Sequence, residues 1–257
     1  MNYWDAHCHL SDLRLDTAWP AMIQRAQAAG ISTFLLGGVS PEEWQRQSLL
    51  PDCCLPVFGL HPWTVIEQDE ETLETAFNLL MSEVSWVRAI GETGCDFHPR
   101  FPKSSHSRQI TWLERHLDLA QKVHKPIVLH VVRAHSPVLE TLKHHPVERA
   151  GLIHSFFGSF ETAQQYHQLG FLISIGPALL DSRSEKLRQA VSRMPLDWIV
   201  VESDAPDQKP RSETTEWNEP TVVLKIAIAI AEIKGCPAEH VLSGSAARLR
   251  QLLGELT

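Results

Sequence analysis

Eight short apolar runs, each followed by a longer segment with helical periodicity, are the feature of this 257-residue sequence that most restricts its fold. Short apolar runs of this kind are typical of strands that are buried on both faces. They read NYWDAH, ISTFLLGGV, LPVFGLHP, WVRAIGETG, PIVLHVV, GLIHSF, FLISIGP and DWIVVESD. Strands that alternate with helices form a parallel sheet, and eight repeats predict a closed (β/α)8 TIM barrel; an open, doubly wound sheet is the alternative.

The segments between the runs predict the helices of such a barrel. Residues 17–30 end on a glycine, as helices commonly do, and residues 104–124 carry apolar residues along one helical face. Two further helices are predicted over residues 220–234 and 237–253. No shift in composition marks a boundary, so we expect one domain over residues 1–257.

Composition restricts the cellular setting and the partners. A formal net charge of −8 provides no general basic surface for capturing a polyanion. Five cysteines without a C-x-x-C pair argue against a disulfide framework and favour a reducing compartment. The N-terminus lacks the pattern of a signal peptide, and the longest apolar stretch, VVLKIAIAIA, is interrupted by Lys225. We therefore expect a cytoplasmic protein with no membrane segment and no evident obligate protein partner.

Polar residues interrupt or follow the ends of six of the apolar runs. A pair such as His7 and His9 is weak evidence alone, although residues two apart in a strand face the same way. In a barrel, however, the C-terminal ends of all strands meet at one mouth, where the active site lies. Four imidazoles and two carboxylates buried together would be costly without cations, which predicts a dinuclear metal site. The residues at this mouth are His7, His9, His61, Glu92, His130, His154 and Asp204.

Several short motifs resemble those of the TatD family of metal-dependent hydrolases, in order and in spacing. They are DAHCHL, GLHP, GETGCDF, RQITWLERHLDLA followed by PIVLH, IHSFFGS, and VESDAP with a later NEP. The resemblance implies an amidohydrolase-type TIM barrel, divalent metals and magnesium-dependent deoxyribonuclease activity. It also implies two metal sites that share Glu92, one with His7, His9 and Asp204 and the other with His130 and His154.

The chain departs from the family pattern at four places. Ser11 and Asp12 follow H-x-H-L where the family has an aspartate directly, and Val132 precedes Arg133 where the family has the arginine one residue earlier. The loop after Asp204 begins DAPDQKP without the usual aromatic residue, and GSAARLRQLL lacks a common asparagine. These differences leave the expected ligands in place and bear on the substrate.

Roles follow from the chemistry of each residue type. Glu92 is the expected metal bridge, because a carboxylate has two oxygens, and Asp204 is the expected general base. His61 would contact a substrate oxygen or the leaving group, and Arg133 would pair with a phosphate. Asn218 would shape the substrate loop or cap the following helix. The cofactors would be two divalent ions (Mg, Mn or Zn), and the imidazoles favour zinc, manganese or iron over magnesium.

The leading functional hypothesis is a deoxyribonuclease or phosphodiesterase that uses metal-activated water. The acidic balance favours DNA termini or short single strands over long duplexes, held by local cations such as Arg100, Lys103 and Arg133. Trp63 and Trp217 lie on expected mouth loops, where an aromatic side chain stacks on a base or, more commonly, packs the loop. The alternatives are hydrolysis of a carbonyl substrate (amide, ester, lactone or aminoacyl-RNA) and a non-catalytic metal-binding protein.

Overall fold

Parallel strands follow one another around a ring in the computed structural model, which describes residues 2–254. Every pair of neighbouring strands that forms a ladder is parallel. The strands are β1 (Tyr3–Cys8), β2 (Ile31–Leu36), β3 (Cys54–Leu55), β4 (Val57–Phe58), β5 (Ala89–Asp96), β6 (Ile127–Val132), β7 (Gly151–His154), β8 (Leu172–Ile175) and β9 (Ile199–Val201).

The ring closes between the first and last strands. The backbone N–H of Asp204 donates to the carbonyl of His7 at 3.0 Å, and the N–H of His9 donates to the carbonyl of Ala205 at 2.6 Å. Buried Asp5 accepts the backbone N–H of Ser203 at 2.8 Å and its hydroxyl at 2.5 Å. The predicted TIM barrel is therefore confirmed, and the open-sheet alternative is wrong.

The third predicted strand is divided at Pro56, which has no N–H to donate to a ladder. Cys54–Leu55 pairs with β2, whereas Val57–Phe58 pairs with β5, so the two pieces together occupy one position in the ring. The strand ends at Phe58, and His61 lies three residues beyond it, at the N-cap of the next helix. Our expectation that this strand runs up to His61 is wrong by those three residues.

Helices surround the ring of strands and include all four segments predicted above. The ends of these four agree with the predictions within about two residues. Helices α9 and α10 each begin within two residues of a proline and end at a glycine, as expected, whereas α5 ends at the left-handed His124. The helices are α1 (Trp19–Ala28), α2 (Pro41–Gln47), α3 (Pro62–Glu67), α4 (Glu70–Glu83), α5 (His106–Val123), α6 (His135–His144), α7 (Phe160–Gln168), α8 (Glu185–Arg193), α9 (Val222–Lys234) and α10 (Ala238–Leu253).

An apolar plug fills the barrel beneath its mouth. Val128 and Leu152 lie two residues before His130 and His154, so they share the inward face of their strands. Both belong to a buried cluster to which α10 contributes Leu249. Arg250 of α10 donates to the carbonyl of Asn2, just before β1, so this helix covers the end of the barrel opposite the mouth. The polar residues of the mouth thus rest on a dry floor.

Two further expectations concern the chain as a whole. All five cysteines are free thiols, as their spacing predicts. No helix within residues 2–254 has the length and apolar character needed to cross a bilayer.

Buried His116 anchors the loop that carries His61 to helix α5. Its Nδ1 donates to the carbonyl of Trp112 at 2.6 Å, and its Nε2 accepts the backbone N–H of Leu60 at 3.1 Å. Both ring nitrogens are used by the neutral form, and burial lowers the pKa of His116 to about 4. His116 in the folded protein therefore binds a proton only near pH 4, whereas in the unfolded chain it binds one near its ordinary pKa of 6.5.

This difference in pKa makes stability depend on pH. A lowered folded-state pKa contributes stability that is complete above the unfolded pKa and is lost as the pH falls towards 4. Between pH 7 and pH 5 we expect a loss of about 2 kcal/mol from His116. His116→Gln keeps an acceptor for Leu60 but cannot titrate. Between pH 7 and pH 5, the free energy of unfolding of the wild type should therefore fall by about 2 kcal/mol relative to that of the variant. Urea unfolding of both metal-stripped proteins measures it, and a difference independent of pH would contradict the prediction.

Candidate metal centre

Glu92 lies at the centre of a buried cluster in the barrel mouth, and its Oε1 faces three histidines. The oxygen is 2.7 Å from His130 Nδ1, 3.1 Å from His154 Nε2 and 3.3 Å from His61 Nε2. Glu92 lies within β5 rather than at its end, because the strand continues to Asp96. The three histidines come from β6, from β7 and from the loop after β4, so neighbouring positions in the ring bring them together.

The other oxygen of Glu92 faces the first strand. Its Oε2 is 3.2 Å from His7 Nε2 and 3.4 Å from His9 Nε2, and the two imidazole nitrogens are 3.1 Å apart. Asp204 completes this side, with its Oδ1 at 3.5 Å from His9 and 3.7 Å from His7. Asp204 lies three residues beyond β9, at the point where the chain hydrogen-bonds back to β1.

The donor atoms in this cluster fit divalent cations. Glu92 Oε2 and Asp204 Oδ1 are buried and have no hydrogen-bond partner among residues 2–254. Such atoms cost free energy unless something neutralises them. Three overlapping sets of residues each offer one ligand atom per residue, and within a set these atoms lie within 4.8 Å of one another. The sets are His7, His9 and Asp204; His7, Glu92 and His154; and His61, Glu92 and His130. The third set includes His61, for which the sequence suggested contact with the substrate only.

The electrostatics of the cluster are those of a cation site. Burial raises the pKa of Glu92, but the nearby charges of His154, His61 and His7 outweigh it and hold that pKa well below its usual range. The pKa of Asp204 falls to about 2 for similar reasons, against the effect of burial. The carboxylates in turn raise the pKa of His9 and of His154 well above the usual value, despite burial. Protons on imidazoles thus supply the positive charge that bound cations would supply.

A third carboxylate, which the sequence did not single out, contacts the ring nitrogen of His154 that faces away from the cluster. Glu202 is completely buried, and its Oε1 is 3.1 Å from His154 Nδ1 while it accepts the backbone N–H of Ser155 at 2.6 Å. Its Oε2 accepts the hydroxyl of Ser174. A carboxylate on the far nitrogen fixes the orientation of an imidazole and makes it a better ligand. Glu202 lies two residues before Asp204 in VESDAP, a spacing that places both side chains on one face of the strand predicted from the sequence, and this spacing was the available signal.

Two more carboxylates stand behind other histidines of the cluster. Glu43 of α2 is 3.5 Å from His9 Nδ1, and Asp96 at the end of β5 is 3.7 Å from His130 Nε2. Burial raises the pKa of Asp96, but the nearby His130 imidazole and the hydrogen bonds donated by Trp63 Nε1 and by the backbone N–H of His98 bring that pKa below its usual range. Three of the four expected histidine ligands therefore have an acidic partner. Glu43 carried no sequence signal, since it lies far along the chain from His9 on an ordinary helix.

We expect Glu202→Gln to weaken metal binding by about 10- to 100-fold. The amide oxygen can still accept from His154 and from Ser155, and the amide nitrogen can donate to Ser174 Oγ, so the main change is the loss of the charge. Titration of metal-stripped protein with Zn²⁺ against a chromophoric chelator measures the dissociation constant, and circular dichroism of the stripped variant checks its fold. An unchanged dissociation constant would contradict a supporting role for Glu202.

Two glycines make room for the cluster. A Cβ atom at Gly37, just after β2, would lie 2.3 Å from His9 Cε1 and 2.8 Å from His7 Cε1. Gly91 has a φ of +128°, and a Cβ there would lie 2.5 Å from the carbonyl oxygen of Val128. Larger residues would therefore displace the first two imidazoles or the strand that carries Glu92.

The loop after β9 holds Asp204 from the outside. Gln208 donates from Nε2 to Asp204 Oδ2 at 2.6 Å and to Ser155 Oγ at 2.6 Å. Buried Asn218 donates to the carbonyl of Ser203 at 2.6 Å and accepts the N–H of Glu219 at 2.9 Å. Asn218 therefore connects two parts of this loop, and its role in shaping the substrate site stays a prediction. The N-cap position of α9 is Thr221, so the alternative expectation that Asn218 caps this helix is wrong.

A cavity of about 1200 Å³ opens above the cluster. Its wall includes His61, Trp63 and Gln208, and it extends along α4. Among the described residues that line it, neither Arg133 nor Asn218 is present. Arg133 is exposed on the loop after β6, and its contact with a phosphate stays a prediction.

Comparison with known proteins assigns the chain to a family. Residues 4–254 match the family described as TatD related DNase. An uncharacterized metal-dependent hydrolase of Escherichia coli, YjjV, is 29% identical over 92% of each chain. A protein of Erwinia tasmaniensis named 3'-5' ssDNA/RNA exonuclease TatD is 31% identical over 90% of this chain and 92% of its own.

Solved structures agree with this assignment. The crystal structure of E. coli YjjV, described as a TatD homologue, superposes with a TM-score of 0.90 at 26% identity, over 99% of this chain and 98% of that one. The sequence match, the structural match and the geometry of the mouth lead to the same conclusion: the chain belongs to the TatD family and is a metal-dependent hydrolase.

Proposed function

We propose that this hydrolase is a deoxyribonuclease that removes nucleotides from DNA termini or short single strands with two divalent cations. The observation that carries the proposal is the position of Glu92, whose two oxygens face two different sets of imidazoles. The cations would be held by His7, His9, Glu92, His130, His154 and Asp204. The name of the Erwinia relative supports a nucleic acid as substrate.

Divalent cations bound at this position would supply polarisation of a phosphoryl oxygen and a more acidic water molecule. Asp204 is the base that accepts the proton from the attacking water. Its Oδ1 faces the cluster without a hydrogen-bond partner among the described residues, while Gln208 holds its Oδ2. This arrangement leaves one oxygen aimed at the reaction and restrains the other.

His61 binds an oxygen of the substrate. Its Nδ1 accepts the backbone N–H of Trp63 at 3.1 Å, so in the neutral ring the proton lies on Nε2. That nitrogen points towards the cluster, 3.3 Å from Glu92 Oε1. His61 therefore presents a hydrogen-bond donor where a phosphoryl or leaving-group oxygen would lie.

Charges around the mouth favour a short substrate over a long duplex. One side of the cavity carries the carboxylates of Glu67, the last residue of α3, and of Glu71 in α4. Arg14 also lines the cavity, but Asp12 and Asp207 pair with its guanidinium, both at 2.7 Å. A long polyanion would meet repulsion on this side, whereas a terminus needs only the metal centre.

Metal reconstitution tests the proposal. Stripped protein is loaded separately with Mg²⁺, Mn²⁺ or Zn²⁺ and given an end-labelled single-stranded oligonucleotide and a phenyl ester. We expect shortening of the oligonucleotide only with metal, and we expect Mn²⁺ or Zn²⁺ to bind more tightly than Mg²⁺ because of the imidazoles. Metal-dependent cleavage of the ester alone would keep the site and replace the substrate class with a carbonyl compound.

A further inference from the structure

Trp63 is an exposed aromatic residue in the wall of the cavity. It is the second residue of α3, its side chain is 42% exposed, and it lines the space above the metal centre. Trp86 is equally exposed, at 43%, but lines a separate small pocket away from the mouth. Trp63 therefore offers an aromatic surface to whatever occupies the cavity.

Polar contacts hold the indole of Trp63 in one orientation. Its Nε1 donates to Asp96 Oδ2 at 2.8 Å, and its backbone N–H donates to His61 Nδ1. The His61 ring meets the indole edge-on, with centroids 4.8 Å apart. An exposed aromatic ring that is already fixed loses little entropy when a partner stacks on it.

The indole is also close to the reacting centre. Its centroid is 6.4 Å from that of His130, which contacts Glu92 directly. A planar group stacked on Trp63 would therefore be separated by only a few covalent bonds from a phosphate held at the metal centre. For a nucleic acid, that planar group is the base of a nucleotide next to the scissile phosphate.

Arg100 adds positive charge on the same side of the mouth. Its guanidinium lies over one face of the Trp63 ring, 4.4 Å from the ring centroid, and 4.5 Å from the centroid of Phe101. A base would therefore stack on the opposite face of the indole. Asp96 is the nearest carboxylate, at 3.7 Å, and Arg100 itself remains half exposed. Arg100 therefore places an accessible cation beside Trp63, where the phosphate backbone of a stacked nucleotide can contact it.

From these contacts we infer that Trp63 is a stacking platform for one nucleobase adjacent to the scissile phosphate. The inference rests on the proposed nuclease function and adds a subsite that determines which part of the substrate the enzyme holds. Stacking on an aromatic side chain accepts any base, so this subsite recognises a base without reading its identity.

Binding of modified oligonucleotides tests the inference independently of turnover. Metal-loaded protein is titrated with a fluorescein-labelled single strand whose terminal linkages are phosphorothioates, and fluorescence anisotropy measures the dissociation constant. A set of strands carries one abasic nucleotide at each of the first three positions from either end. We expect Trp63→Leu to weaken binding of the complete strand about tenfold or more, as for one stacked base, and to have no effect on the strand abasic at the stacked position.

Two further variants separate stacking from other effects. Trp63→Phe keeps an aromatic ring but loses the hydrogen bond to Asp96, so we expect binding within about threefold of wild type. Trp86→Leu, with equal exposure outside the mouth, should bind as wild type does. Metal content of each variant, measured by mass spectrometry, shows whether the centre near Asp96 is intact.

Several outcomes would overturn the inference. Equal losses in the leucine and phenylalanine variants would assign the effect to the hydrogen bond with Asp96. A loss that is the same for complete and abasic strands would exclude a stacked base. If wild-type protein neither binds nor shortens any strand yet cleaves the ester, the proposed function itself fails and the subsite fails with it.

Discussion

Glu92→Gln is expected to remove metal-dependent hydrolysis, with a fall in kcat/KM on the order of 10⁴. Oε1 of this residue contacts His130 and His154, and Oε2 contacts His7 and His9, so one substitution affects both proposed cations. The amide has nearly the same shape but one oxygen fewer and no charge. Metal content should therefore fall from the proposed two ions per chain to one or none. Mass spectrometry measures this content on the samples used in the oligonucleotide assay.

Glu71→Gln is a matched control for this variant. Glu71 is a carboxylate in the wall of the same cavity, but it lies on the exposed face of α4 away from the cluster. Its amide should leave both metal content and cleavage close to wild type. Two ions retained in Glu92→Gln would show that Glu92 is not the bridge, even if activity were lost.

The barrel could be predicted because its strands are buried on both faces. Such strands must be continuously apolar, so runs such as PIVLHVV stand out from the amphipathic helices between them. Strand ends were less certain because backbone hydrogen bonding, not hydrophobicity, determines them. Pro56 divides the third strand, and β9 ends at Val201 although the apolar run suggested a longer strand.

The inner part of the site was visible for a related reason. A single histidine within an apolar strand, such as His154, is more often an ordinary buried core residue with its hydrogen bonds satisfied. The signal was the coincidence of several imidazoles and carboxylates at the same ends of the strands, because such a cluster is costly without cations. The outer carboxylates gave no such signal. Glu43 is an ordinary glutamate on an amphipathic helix until the fold places it beside His9. Gly37 is likewise one glycine among many until a Cβ there is seen to collide with two imidazoles.

The ligand assignments themselves stay predictions until metal is bound and counted. The structure brings the six expected ligands into one cluster, but it also places His61 within 3.3 Å of both Glu92 and His130. The sequence suggested a substrate contact for His61, which is the role proposed above, although its Nε2 also belongs to one of the three sets of donors that could hold a cation. If His61 contacts only the substrate, His61→Ala should keep its full metal content. If His61 holds a cation, the metal content of this variant should fall.

Asp204→Asn is expected to lower kcat about 10³-fold while most of the bound metal is retained. The amide oxygen of this variant can still accept the hydrogen bond from Gln208, so the loop keeps its position, but the amide cannot take a proton from water. Glu92, His130 and His154 are unchanged in this variant, and the cation on their side should remain. Loss of activity with metal retained in Asp204→Asn would distinguish the base from the bridging residue, because Glu92→Gln should lose both activity and metal.

Asp207→Asn provides the comparison within the same loop. Asp207 lines the same cavity but pairs with Arg14, and its substitution should change kcat less than about threefold. Single-turnover cleavage of the oligonucleotide, with metal content measured on the same samples, gives both quantities. A fall in kcat of less than tenfold for Asp204→Asn would exclude this carboxylate as the base. A complete loss of metal in the same variant would show that Asp204 acts mainly as a metal ligand.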